Sequence, residues 1–359
     1  MNERYEQAAT LLRDAIGERI FPGAVAEVGS RSGIDWRTCE GHLSFDADAA
    51  STSPQTVYDL ASLTKPLATT SVTMNLVARE RLRLDQLVSQ CCSGWTASDR
   101  AHVTIQQLLE HASGLSPRLQ TPPPASAASF IRAICDSPLD RAPGTAAIYS
   151  DLGFILLGSC LEQIAEQPLS HQSTELLSDV LSDVGAGNEC DFFASVPPDV
   201  RLRTAPTSPL PEDAHRRHRL QGDVHDNYAA ALGGFAGHAG LFGTASAVGA
   251  IARTVLDAAR GAEHRVPFTR ALVAQMLTPS RVPGSSRALG WDTMRPTSSC
   301  GRFLSPSSVG HVGFTGTSVW IDPERDRYYV LLTNRVCDGG SSDDMQRVRR
   351  AFHERLTAP

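Results

Sequence analysis

Apolar positions recur at helical spacing from the first residues. Tyr5, Ala8, Leu12, Ala15 and Ile16 share one face, which predicts an amphipathic N-terminal helix. The period then changes. Residues 23–45 (GAVAEVGSRSGIDWRTCEGHLSF) alternate and predict two or three strands with a turn at Ser32-Gly33. After a loop over 51–60, helical spacing returns from Ser62 to about Arg83, with Leu67, Val72, Leu76 and Val77 on one face. Pro66 falls in the first turn of that helix, where its missing N–H costs little. Residues 104–113 predict a short helix that Thr104 caps and Gly114 ends. Residues 121–127 read as a proline-rich loop, and 152–166 as a buried helix. From Gly185 to Tyr228 the pattern loses its period and predicts a long irregular loop, which inside a compact protein is usually functional or disordered. A glycine-rich stretch (232–243) leads into another helix over 246–260. Strand character returns near residue 288. Residues 310–321 and 328–335 alternate around Asp322-Pro323-Glu324-Arg325 and predict a hairpin, and 343–357 form a closing amphipathic helix.

Strands therefore sit at both ends of the sequence and helices in the middle. The fold class this predicts is α+β: an antiparallel sheet built from both termini, flanked by the terminal helices, with an inserted helical domain. The expected division is a discontinuous sheet domain from 1–60 and 288–359, and a mainly helical domain over 61–287 that carries the 185–228 loop. No internal repeat is visible.

Composition narrows the function. In 359 residues, 41% are hydrophobic and 20% charged, enough to bury a core. The net charge of −6 and the lack of a basic run with interleaved aromatics exclude a nucleic-acid partner. No run of 18 apolar residues offers a membrane span. The charged N-terminus has no apolar core or small-residue cleavage site, so it does not read as a signal peptide. The eight cysteines include no CxxC pair and read as reduced thiols of a cytoplasmic protein. The oligomeric state is not readable. One count changes the picture: of 33 basic residues, only Lys65 is a lysine. Arginine cannot release its proton, whereas a lysine can when its pKa is lowered, so a position that kept the amine is a candidate for proton transfer.

Lys65 closes a Ser62-Leu63-Thr64-Lys65 segment at a predicted helix start. Three residues are close to one turn, so serine and amine share a face. The helix N-terminus favours negative charge on the serine oxygen, and a nearby amine can help take its proton. Val57-Tyr-Asp-Leu-Ala-Ser-Leu-Thr-Lys65 resembles the nucleophile segment of the β-lactamase and penicillin-binding-protein-like serine hydrolases. Tyr149-Ser150-Asp151 resembles the family's Tyr-x-Asn, and His311-Val312-Gly313 its Lys/His-x-Gly, in the family's order. Phe21-Pro22-Gly23-Ala24, the Leu108–Leu115 segment and Gly237-His-Ala-Gly-Leu-Phe242 resemble the family too, so the similarity spans about the whole chain. It is greatest to the class C β-lactamase, esterase and D-alanyl-D-alanine carboxypeptidase-like branch. No Glu-x-x-Leu-Asn of the class A enzymes is present.

The resemblance implies that Ser62 is the acylated nucleophile and that Lys65 and Tyr149 share protons as general base and acid. A phenol titrating near 10 is a poor base at pH 7, and a neighbouring ammonium favours its phenolate. Oxyanion stabilisation would come from the backbone N–H groups of Ser62 and Phe314. Asp151, His311, Gly313 and His238 are the expected substrate-binding residues. Two departures bear on the substrate. His311-Val312 stands where penicillin-recognising members carry Lys-Thr, replacing a permanent charge and a hydroxyl, although Thr315 or Thr317 offers a substitute. Asp151 adds negative charge where the family has asparagine. Both departures favour an esterase acting on an ester or amide without the β-lactam carboxylate. The alternatives are a muropeptide or D-alanyl-D-alanine peptide hydrolase, a slow β-lactamase, or a catalytically silent binding protein on the same fold. No cofactor is expected. His215, His218, Asp223, His225 and Asp226 crowd one loop, but without HExxH or a cysteine pair they do not predict a metal.

Overall fold

The computed structural model describes residues 3–358 apart from 125, 186, 188, 212, 214, 215 and 339; His215 thus lies outside the described residues. In chain order the strands are β1 (Gly23–Ser30), β2 (Gly33–Gly41), β3 (Tyr58–Asp59), β4 (Phe192–Phe193), β5 (Phe242–Gly243), β6 (Asp292–Thr293), β7 (Val309–Val312), β8 (Ser318–Asp322) and β9 (Arg327–Thr333). The main sheet has six strands in the order β2-β1-β9-β8-β7-β6, every neighbouring pair antiparallel. The helices are α1 (Glu3–Gly17), α2 (Ser71–Ala78), α3 (Ile105–Leu109), α4 (Ala127–Asp136), α5 (Asp151–Ala165), α6 (Leu169–Asp183), α7 (Pro198–Arg201), α8 (Asn227–Ala231), α9 (Ala245–Ala259), α10 (Arg270–Leu277) and α11 (Ser342–Thr357).

Side-chain alternation sorts the two sheet faces. Ala24, Ala26 and Val28 of β1, with Tyr329 and Leu331 of β9, join Leu12 of α1 and Met345 and Phe352 of α11 in one core. Their neighbours Val25, Tyr328, Val330 and Leu332 point the other way, into a larger core with Leu67, Phe154, Val248 and Ile251. The terminal helices thus cover one face and the central helices the other, as the α+β reading expects. β1 is buried along its whole length for this reason.

Some elements differ from the sequence pattern. Residues 310–321 are not one strand: β7 stops at Val312, the chain turns through 313–317, and the 322–325 hairpin joins β8 to β9. Strand character near 288 reduces to the two residues of β6. Helices α4 and α6 escape the pattern, although Ser126 caps α4 with a reciprocal Ser129 bond. The 185–228 segment carries β4 and α7, and Val196, Val200 and Val224 pack with Val57 and Phe242. Its apolar residues are spaced irregularly, so packing without period was invisible in sequence. The Ser62 helix opens with a 3₁₀ turn over Ala61–Leu63 and a π-type turn over Lys65–Thr70 before α2 begins. Pro66 accounts for this locally, because a proline cannot donate into a regular ladder.

Candidate active site

Three segments meet at Ser62. The first is its own turn. Ala61 has φ +47°, an uncommon conformation for alanine, and its N–H donates to Asp59 Oδ1 at 2.8 Å. Asp59 Oδ2 accepts from the His225 N–H at 2.7 Å, tying the 185–228 segment to the same carboxyl. Burial pushes the Asp59 carboxyl up to about 6 against these bonds.

The second segment carries Tyr149 and Asp151. Ser150 caps α5, its Oγ accepting from the Gly153 N–H at 3.0 Å, so Asp151 occupies the first helical position. His111 brackets Tyr149: its carbonyl accepts from the Ile148 N–H at 2.8 Å and its Nδ1 from the Ser150 N–H at 3.0 Å. The His111 ring lies 4.6 Å from that of Tyr149. Sequence reasoning quoted the segment holding His111 but missed this positioning role.

The third segment is the end of β7. A Cβ at Gly313 would lie 2.1 Å from Thr317 Oγ1 and 2.6 Å from Leu60 O, so only glycine lets this strand end approach the Ser62 turn. Thr315 Oγ1 donates to Asp59 O at 2.7 Å and Thr317 Oγ1 to Leu60 O at 3.1 Å. These hydroxyls clamp the nucleophile turn. The expectation that one of them substitutes for the missing carboxylate donor is therefore corrected: both are buried and already engaged.

Lys65 is fully buried and uses all three of its donors: Ser62 Oγ at 3.1 Å, Asp151 Oδ1 at 2.8 Å and the His238 carbonyl at 3.1 Å. That carbonyl reaches Lys65 because Gly237 packs where a Cβ would lie 2.0 Å from Phe154 O. Burial alone would lower the Lys65 pKa, but the charges and hydrogen bonds of Asp151 and Tyr149 outweigh it and the net shift is upward. The resting amine is an ammonium, 4.8 Å from the centre of the Tyr149 ring.

Asp151 does not face the cavity as a free charge. Its Oδ2 meets Arg118 at 3.3 Å, and the same Arg118 nitrogen reaches Asp226 Oδ2 at 3.1 Å. Asp226 Oδ1 accepts from His238 Nε2 at 2.7 Å. Burial would raise the Asp226 carboxyl, yet His238 and Arg118 hold it well below the usual range. The ligand atoms of Asp151, Asp226 and His238 lie within 4.8 Å of one another, a cation-sized spacing. Lys65 and Arg118 already neutralise both carboxylates, so the arrangement is a charge-paired network. Of the other loop groups, Asp223 pairs with Arg201 at 3.0 Å.

His311 is 3% exposed. Its Nδ1 lies 2.9 Å from the Val312 carbonyl, which can only accept, so Nδ1 carries the proton and Nε2 is a bare lone pair. Burial and the charges of Lys65 and Arg287 depress its pKa well below the ordinary imidazole value. His311 is thus a neutral acceptor. Among the described residues its Nε2 has no partner.

Ser62, Tyr149, Asp151, His238, His311, Gly313 and Phe314 line one cavity of about 530 Å³, together with Arg118, Arg287, Arg335 and Arg349. All the expected site residues except the buried Lys65 are in that lining. The arginines were missed because 32 of them dilute any signal. Another cavity, about 570 Å³, is bordered by Gln106, Glu110 and Arg281, and its lining holds no serine, cysteine, lysine or histidine. No helix among the described residues is long and apolar enough to cross a membrane.

Comparison with known proteins gives the family. A protein of Escherichia coli (strain K12) named "Putative D-alanyl-D-alanine carboxypeptidase" is 30% identical over 307 residues, covering 78% of this chain and 69% of the relative. An N-acetylmuramyl-L-alanine amidase of Bacillus subtilis (strain 168) is 27% identical over 346 residues, covering 88% and 77%. Two solved structures share the fold at 20% identity and 98% coverage of both chains: EstCE1, a hydrolase with promiscuous acyltransferase activity (TM-score 0.74), and a class C beta lactamase from Rhodobacter sphaeroides (TM-score 0.73). The Beta-lactamase family model matches residues 9–353, and the chain belongs to this family of serine hydrolases.

Proposed function

We propose that this chain hydrolyses an amide or ester through an acyl-enzyme on Ser62, with a peptide-type amide as the preferred substrate. The observation that carries the reaction is the Lys65 ammonium, buried with all its donors engaged and one of them on Ser62 Oγ. Because Oγ accepts from Lys65, the serine proton leaves toward another base. Tyr149, whose ring centre lies 4.8 Å from the same ammonium, is that base. Oγ then bonds to the substrate carbonyl carbon, and the charge passing to the carbonyl oxygen meets the N–H groups of Ser62 and Phe314. On collapse the bond to the leaving group breaks and Tyr149 returns the proton to it. Water repeats the sequence to free the acid.

The names of the E. coli and B. subtilis relatives support the peptide reading. A simple ester is the second reading, favoured by His311, which presents an acceptor where a carboxylate needs a donor. A fluorophosphonate probe should label Ser62, shown by intact mass and by loss of labelling in Ser62→Ala. Turnover of a D-Ala-D-Ala peptide, a muramyl-L-alanine amide and p-nitrophenyl butyrate then separates the substrates. An unlabelled Ser62 overturns the reaction. A labelled enzyme that cleaves only the ester replaces the peptide reading with the second one.

A further inference from the structure

Two sulfur atoms from distant segments touch among the helices. Cys92 Sγ lies 3.6 Å from Cys135 Sγ, although the two residues are 43 apart in sequence. Cys92 stands in the turn whose carbonyl accepts from the Trp95 N–H at 3.0 Å, and Cys135 in the last turn of α4. Arg100 ties these two pieces together. Its carbonyl accepts from Trp95 Nε1 at 3.0 Å, and its guanidinium donates to the Cys135 and Ser137 carbonyls, each at 2.8 Å. The sulfurs are therefore held in register by fixed backbone on both sides. Both residues are buried, at 7% and 4% exposure, yet Cys92 adjoins the exposed Ser93 and Gly94, so its turn lies at the surface.

The two sulfurs are not equivalent. The Cys135 thiol, as donor, holds the Cys92 pKa below the ordinary thiol value against the effect of burial, with help from the Gly94 and Trp95 N–H groups. Cys135 moves the other way, raised by its bond to Cys92, by burial and by the charges of Cys92 and Asp136. Its place at the end of α4 also disfavours an anion. Cys92 is thus the thiolate of the pair and Cys135 keeps its proton. The remaining thiols lack this division. Burial pushes Cys39 up to about 11 and also raises Cys190, although both are more exposed. Burial likewise pushes Cys300 and Cys337 up to about 12. Cys160 lowers the Cys91 pKa, but Cys91 Sγ faces the Val88 carbonyl at 3.4 Å, an acceptor that keeps its proton in place, and Cys160 is fully buried.

We propose that Cys92 and Cys135 form a dithiol site oxidised by a hydroperoxide, with Cys92 as the attacking sulfur and Cys135 as the resolving one. With hydrogen peroxide, the Cys92 thiolate forms an S–O bond to one oxygen and the O–O bond breaks. This leaves a sulfenic acid and a hydroxide, which takes up the proton that Cys92 released. The Cys135 sulfur then bonds to the Cys92 sulfur, and the sulfenic oxygen leaves as water with the Cys135 proton. Two electrons pass from the sulfurs to the peroxide, giving one disulfide and two waters. The sulfurs close from 3.6 Å to about 2 Å. The chain between them carries α3, His111 and Arg118, so the bond closes the segment that holds Tyr149 and Asp151 in place. The chemistry is independent of the reaction at Ser62.

The test treats the native protein with hydrogen peroxide for increasing times, alkylates the remaining thiols after denaturation and maps the digested chain by mass spectrometry. The first product should be a Cys92–Cys135 crosslink, lighter by the mass of two hydrogens and reversed by dithiothreitol. In Cys135→Ser, which keeps a donor beside Cys92, oxidation should stop at a sulfenic acid on Cys92 that dimedone traps. In Cys92→Ser, dimedone should label Cys135 more slowly by about tenfold or more, since the thiolate is the reacting form. Should neither variant fold, the wild-type map decides. A wild type that oxidises Cys39 or Cys190 first, that first crosslinks Cys91 to Cys160, or that leaves Cys92 unreacted overturns the proposal. A folded Cys135→Ser that takes no dimedone at Cys92, or a Cys92→Ser whose Cys135 reacts as fast as Cys92 does in Cys135→Ser, overturns it as well.

Discussion

At the scale of single residues, Lys65 is where chemistry and burial meet most directly. Its rarity in the chain drew attention to it, but its protonation state follows from neighbours brought from distant segments. An arginine there keeps the charge and loses the compact three-donor geometry that meets Ser62 Oγ, Asp151 and the His238 carbonyl. Lys65→Arg should lower kcat by about 10²–10⁴-fold, the range typical of general acid–base catalysis, measured on any substrate the enzyme turns over. Wild-type turnover would remove Lys65 from the mechanism. Asp151 is the second case. In sequence its charge reads as a deterrent to anionic substrates, but Lys65 and Arg118 occupy both its oxygens. Its charge instead holds the Lys65 ammonium. Since the carboxylate raises the Lys65 pKa, removing its charge lowers that pKa. Asp151→Asn should therefore shift the alkaline limb of the kcat/KM profile to lower pH. A profile between pH 6 and 11 that superposes on the wild type would contradict this.

At the scale of elements, the end of β7 and the Ser62 turn behave as one unit. Gly313, Thr315 and Thr317 all touch Asp59, Leu60 or Ala61, and Phe314 rides on this junction with its ring stacked on His225 at 5.6 Å. Gly313→Ala inserts a methyl group where 2.1 and 2.6 Å are available, so the strand end must retreat from the Ser62 turn, and the Phe314 N–H proposed for the oxyanion moves with it. We expect kcat to fall by about 10²–10³-fold, as when one oxyanion donor is lost, with circular dichroism unchanged. Full activity in the alanine variant would show that the Phe314 N–H is not needed. Periodicity placed α1, α5, α9 and α11 well because each has a continuous apolar stripe. It merged β7 with β8 because the intervening turn contributes buried threonines to the same alternation. It missed α4, whose apolar stripe is short (Phe130, Ile134 and Cys135), and α6, whose buried face includes the polar Gln172 and Ser173.

For the whole molecule, several imidazoles are buried in neutral form. Burial pushes His225 down to about 4 and His353 to about 3, while His111 and His311 also lie well below their ordinary value. A histidine near 6.5 in the unfolded chain binds a proton that the folded one refuses, so stability falls as pH drops below 6.5. Each of His225 and His353 should withdraw about 2 kcal/mol of stability by pH 5. Asp59, raised to about 6, acts in the opposite direction between pH 6 and 4 and offsets only part of this. Scanning calorimetry should show a clearly lower Tm at pH 5 than at pH 7; equal values would mean that these rings are solvated.

The chain by itself determined the class of fold and pointed to the groups proposed to react. Alternation and helical spacing are local, and Ser62 and Lys65 lie one turn apart on one backbone segment, so both are legible without contacts. Tyr149, Asp151, His311 and Gly313 could be named because they stand in short motifs of the right order. What the tertiary structure decided is how these groups are charged and what surrounds them. The ammonium state of Lys65 depends on Asp151, 86 residues away, and on the carbonyl of His238, 173 residues away. The proton on His311 is placed by its own strand, but its neutrality depends first on burial and then on the charges of Lys65 and Arg287. Arg335 and Arg349 carry no motif, and in a chain with 32 arginines only their place in the cavity lining sets them apart. Sequence spacing encodes what one segment does alone. The balance of charge in a cavity is a sum over segments that folding brings together.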